Sequence, residues 1–222
     1  MKLSEQFHNA VQQYHDRLRE ISQQYENEMK GLQRFEGSAG YEEDVKSAQA
    51  DRDKATAALR QEYGPRFDTI LNSMAEAAKA QPMTPPTPEQ TALLSVLQMR
   101  ERLSRDELQK AMNSMANCSA ALGVLRELAQ KHEIMGMGVT VAGAMMDTDS
   151  ALHTIDVLRR SCGTLLRGES SYTTMNLDGA GLTATINRMA AFPNAVTKDH
   201  GFQKVGPNEE AVAAFCKAVD GE

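Results

Sequence analysis

The chain has no tryptophan, only three cysteines, and aromatic residues at 5% of its 222 positions. Cys118, Cys162 and Cys216 lie far apart, with no C-x-x-C pair. That number and spacing exclude a disulfide framework or a cysteine zinc site and suit buried thiols in a reducing compartment. No apolar run approaches the ~18 residues of a membrane span. The opening Met1-Lys2-Leu3-Ser4-Glu5-Gln6 carries no apolar stretch of the secretory kind, so a cytoplasmic location is expected. No Lys/Arg cluster appears, and 24 basic residues face 30 acidic ones, so no nucleic-acid partner is expected. A hydrophobic content of 41% is enough to bury a core, which argues against wholesale disorder.

What is present is a heptad stripe. Phe7, Val11, Tyr14, Leu18, Ile21, Tyr25, Glu28, Leu32 and Phe35 are spaced alternately four and three apart, and only Glu28 is not apolar. This is the seam pattern of a coiled coil. Gly37-Ser38-Ala39-Gly40 then supplies a turn. A second stripe follows in Tyr41, Val45, Ala48, Arg52, Ala55, Leu59, Tyr63, Phe67, Ile70, Met74 and Ala77.

Folded back antiparallel on the first, the second stripe faces it with residue numbers summing to about 77: Leu32 with Val45, Leu18 with Leu59, Tyr14 with Tyr63, Phe7 with Ile70, Leu3 with Met74. The two odd positions, Glu28 and Arg52, then fall near one level and read as a register-fixing ion pair. The other reading gives each stripe a different partner. Gly64-Pro65 interrupts the second stripe, where a kink or short break is expected. Two arms of ~35 residues make a rod roughly 50 Å long that buries one face of each helix. Such a rod calls for something to pack on, often a second copy of itself.

Pro82, Pro85, Pro86 and Pro88 mark residues 81–88 as a semi-rigid linker. Thr87-Pro88-Glu89-Gln90 and Ser104-Arg105-Asp106-Glu107 are capping boxes that open helices, the second with a Leu103–Leu108 staple. Asn117-Cys118-Ser119 opens a third helix carrying Leu122, Leu125, Leu128 and Ala129. Leu93, Leu94, Val96, Leu97 and Leu103 are expected to form the buried face of the first, and the three make a small bundle over 89–133.

Residues 134–222 begin with an apolar, uncharged, Gly- and Met-rich segment from Met135 to Met146. Met135, Met137, Met145 and Met146 are candidates for core filling or for an adaptable contact surface. The Gly-x-Gly there lacks the context of a phosphate loop. Helices follow from Thr148-Asp149 (Leu152, Ile155, Leu158, Leu165), around Leu182, Ile186 and Met189, and from Pro207-Asn208 (Val212, Phe215, Cys216, Val219). Stretches at 168–181 and 193–208 read as loops or short β segments. The fold class is thus mainly α: an antiparallel coiled-coil hairpin over 1–80, a Pro-rich linker, a small helical bundle, and a C-terminal helical region with short β segments.

Chemistry is sparse. His8 and His15 flank the seam, and His153 has Asp149 and Asp156 on its helical face, yet no H-E-x-x-H or nucleophile elbow occurs. No catalytic, cofactor-binding or metal-ligating residue is expected, and the protein reads as non-enzymatic. Its expected partners are further copies of itself, another protein, or both. The Gln/Glu-rich coiled coil (Gln12-Gln13-Tyr14 through Gln33-Arg34-Phe35), proline break and small following domain resemble short proteins of phage and prophage structural modules. That resemblance implies a virion or head-assembly component. The other reading is a small regulatory or inhibitory module that binds protein through residues 88–222.

Overall fold

The computed structural model describes residues 1–134, 145–167 and 209–220. Helices take up 82% of these, and none of them lies in a strand, so the fold is mainly α. The expected helix around residues 182–189 and the β segments at 168–181 and 193–208 lie outside the described residues, as do Met135 and Met137.

Helix α1 (Leu3–Leu32) ends in a 3-10 turn (Gln33–Phe35), and α2 runs from Tyr41 to Ala80. Gly37 and Gly40 make the reversal at φ of 82° and 99°, values that side chains with a Cβ seldom adopt. The two helices lie antiparallel: Tyr14 meets Tyr63 with ring centroids 5.5 Å apart, and Phe7 meets Phe67 at 6.2 Å. The break expected at Gly64-Pro65 does not occur, since α2 continues through Pro65. Proline removes one backbone donor, but Pro65 and Gln61, whose carbonyl loses its bond, are both exposed to water. Tyr63 and Phe67 on either side are buried and hold the helix in line.

After the linker come α3 (Pro88–Gln98), α4 (Arg105–Ser114) and α5 (Ser119–Lys131). Both capping boxes form. The Gln90 amide donates to Thr87 Oγ1 at 3.3 Å while Gln90 Oε1 accepts from the Thr87 amide at 3.0 Å, and Ser104 with Glu107 repeats the exchange. Leu94, Leu97, Leu108, Met112, Met115, Leu122, Leu125 and Leu128 fill the core of these helices. Leu93 and Val96, expected in it, are instead 40% and 46% exposed. An 11-residue helix packed mainly on α5 buries one narrow stripe, and these two side chains fall outside it.

Helices α6 (Thr148–Arg167) and α7 (Glu209–Asp220) lie on the base of the hairpin. Phe7, Ala10, Val11 and Tyr14 of α1, Leu59 to Ala78 of α2, Ile155, Leu158 and Leu165 of α6, and Phe215 and Val219 of α7 share one core. Arg159 ties α6 to α2 through Asn72 at 2.9 Å, and the Ser4 amide ties α1 to α7 through Asp220 at 2.9 Å. The described residues therefore form two cores, one of four helices and one of three. Among the described residues no helix is long and apolar enough to cross a membrane.

Candidate functional site

The hairpin seam divides into two parts. At the base, Phe7, Val11, Tyr14, Leu59 and Tyr63 are buried, each 3% exposed or less. The rings of Phe7, Tyr14, Tyr63 and Phe67 form a chain of contacts, with Tyr14 edge-on to Phe67 at 6.0 Å and Tyr63 tilted against it at 5.9 Å. Beyond Tyr14 and Leu59 only Ala48 is fully buried. Leu18, Ile21 and Tyr25 are half-buried, as are Leu32, Tyr41 and Val45, and Phe35 at the tip is 60% exposed. The reason is geometric. Among the described residues, α6 and α7 pack against the base, and the core they close takes in no residue of 22–58, two helical arms of roughly 25 Å.

The ion pair expected between Glu28 and Arg52 is not formed. Arg52 lies over the ring of Tyr25, 4.6 Å from its centroid, and its guanidinium pairs with Asp53 at 2.6 Å. The numbers 25 and 52 sum to 77, so the register holds, and Glu28 lies one turn from the level of Arg52. The seam proceeds from Tyr25 to Met29 to Leu32, and Glu28 points to water. A thioether fills a seam at no desolvation cost, whereas a carboxylate there would need a partner.

A polar cluster sits where the hairpin leaves its core. Burial pushes the Tyr14 phenol above its usual pKa, against a hydrogen bond from Arg60 that lowers it. His15 packs edge-on against Tyr14 at 6.3 Å. Its pKa is lowered, mainly by burial and then by Arg19, with Asp16 opposing. Among the described residues, His15 Nε2 and Arg60 Nε are buried without a hydrogen-bond partner.

The described residues hold no group of three or more His, Cys, Asp or Glu side chains placed for a metal ion. Asp149, read as a neighbour of His153, bonds Arg126 instead at 2.9 Å. Cys162 is buried and its thiol is pushed up to about 12, chiefly by desolvation, so it stays protonated and a poor nucleophile at neutral pH. Met146 packs on the four-helix core, and Met145 donates its backbone N–H to Ala116 O at 2.7 Å.

Two surface features had little sequence signal. Leu93, Val96 and Met99 expose an apolar edge along α3, and Gln98, Val124, Glu127, Leu128 and Lys131 line an open groove of about 420 Å³ between α3 and α5. Periodicity marked Leu93 and Val96 as core because it counts apolar residues without knowing how many neighbours cover them. No known protein family, curated protein or solved structure matches this chain.

Proposed function

We propose that the protein is a non-enzymatic assembly component that associates with further copies of itself through the distal half of its coiled-coil hairpin. The observation that carries this reading is that, among the described residues, Ala48 alone is fully buried between 22 and 58. The seam residues Tyr25, Leu32, Tyr41 and Val45 of that stretch are only half-buried, and Phe35 is exposed at its tip. A second hairpin laid along the seam would complete the four-helix packing that α6 and α7 supply at the base. The likeness to phage and prophage structural modules fits a virion or head-assembly role, in the cytoplasm of the host or in the particle.

Light scattering over a range of concentrations tests the reading. A mass that rises with concentration, and falls to one chain in a Leu32→Asp, Phe35→Asp variant of unchanged helix content, supports it. A single-chain mass at every concentration refutes it. The apolar edge of α3 favours a second reading, a module that binds another protein through residues 88–222. Under that reading the wild-type chain stays monomeric and a Val96→Asp change abolishes partner binding.

A further inference from the structure

Four prolines restrict nearly every residue between Gln81 and Pro88. Each proline ring fixes its own φ at roughly −65°. Gln81, Thr84, Pro85 and Thr87 each precede a proline and are held away from the α region. Met83 alone escapes both restrictions. The backbone follows this pattern: Gln81 sits at φ −61° and ψ 130°, and Thr87 at φ −67° and ψ 163°, both in the polyproline II region. Residues 82–87 between the helices lie in neither helix nor strand.

The segment is also tied to the rest of the chain. Gln81 Nε2 donates to Lys217 O of α7 at 2.9 Å, the Cys118 thiol donates to Thr84 O at 3.1 Å, and Thr87 caps α3. Pro86 is half-buried. A polyproline II helix has three residues per turn and rises about 3.1 Å per residue, so Pro82, Pro85 and Pro88 share one edge roughly 19 Å long, and Met83 and Pro86 share another. All three prolines of the first edge are exposed. Lys79, exposed in the last turn of α2, stands three residues before Pro82. Its ion pair with Glu76 at 2.9 Å lies on the surface and is exchanged at little cost.

We propose that Pro82, Pro85 and Pro88 form a recognition edge for the aromatic-lined groove of a proline-binding domain on another protein, with acidic side chains at the rim that meets Lys79. Such grooves take polyproline II segments because the rod is already straight and its rings pack flat on aromatic side chains. The ties at Gln81, Thr84 and Thr87 hold the edge in its bound shape, so docking loses little ordering entropy. The edge lies outside the hairpin seam, and its binding does not depend on self-association.

A panel of isolated SH3 and WW domains, titrated with the full-length chain, tests this. The chain has no tryptophan, so the emission of a tryptophan in the probe's groove reports docking directly. At least one domain of the panel should bind saturably. Pro82→Ala and Pro85→Ala, with helix content unchanged, should each weaken that binding about ten-fold, whereas Met83→Ala on the other edge should change it by less than about two-fold. Lys79→Glu should weaken it about five-fold in low salt and less at about 0.5 M salt. A free peptide of residues 79–89 should bind several-fold more weakly than the folded chain. Failure of every domain to bind overturns the proposal, as does binding that Pro82→Ala and Pro85→Ala leave unchanged. Tighter binding by the peptide also overturns it, since the folded chain would then be covering the edge. An affinity unmoved by Lys79→Glu overturns the acidic rim.

Discussion

Leu71 offers the sharpest check on how the hairpin is stabilised. It lies outside the stripe that faces α1, yet it is fully buried, in the core that α6 and α7 help to close. In a free-standing hairpin its side chain would be in water, and truncation to alanine would change stability by no more than about 0.5 kcal/mol. With α6 and α7 seated, Leu71→Ala removes the transfer energy of the buried methyl groups and leaves a cavity, a loss of about 2–5 kcal/mol. For a chain of this size that corresponds to a fall in Tm of roughly 10 °C. Urea denaturation followed by far-ultraviolet circular dichroism measures the difference, and Met83→Ala, in the linker and 71% exposed, serves as the control with almost no cost. Equal, small effects at Leu71 and Met83 would refute the four-helix core and leave a uniform rod.

The remaining predictions concern pH, thiols and caps. The His15 pKa is lowered in the folded state, so the unfolded chain binds the proton more readily; stability is full above about pH 6.5 and declines as the pH falls below it. His15→Gln should flatten that decline in denaturation curves taken from pH 7.5 down to about pH 5, and an unchanged slope would remove His15 as its source. Cys162, buried with its thiol pushed up to about 12, should resist a thiol reagent at neutral pH until the protein unfolds, as mass spectrometry of labelled peptides will show. Ser104→Ala should cost about 1 kcal/mol by removing the acceptor for the Glu107 amide, and a cost near zero would mean water replaces the cap at no loss.

Local features were legible where their cause is local. Capping boxes at Thr87 and Ser104 form from residues three apart, so the sequence alone located both helix starts. The Gly37 and Gly40 reversal and the antiparallel register follow equally from short-range rules, and the register correctly matches Tyr14 with Tyr63. Glu28 and Arg52 mark where that reasoning ended. The matching register puts Tyr25, not Glu28, opposite Arg52, and the aromatic face of Tyr25 together with Asp53 holds the guanidinium.

The sequence by itself determined the mainly helical class, the capped starts at Thr87 and Ser104 and the pairing of α1 with α2, because propensity, caps and heptad spacing act within a few turns. It also held a partial sign of the larger core: at the base the stripe widens to Phe67, Ile70, Leu71, Met74 and Ala78, more than one partner helix can cover. Which helices do the covering was decided by tertiary structure alone. Helix α7 lies more than 130 residues from its neighbours in α2, as the Gln81–Lys217 hydrogen bond shows, and no short-range pattern encodes so distant a contact. The same holds for the exposure of Leu93 and Val96 and for the reach of Arg126 to Asp149. Each depends on what the rest of the chain places nearby, and burial is a property of that arrangement.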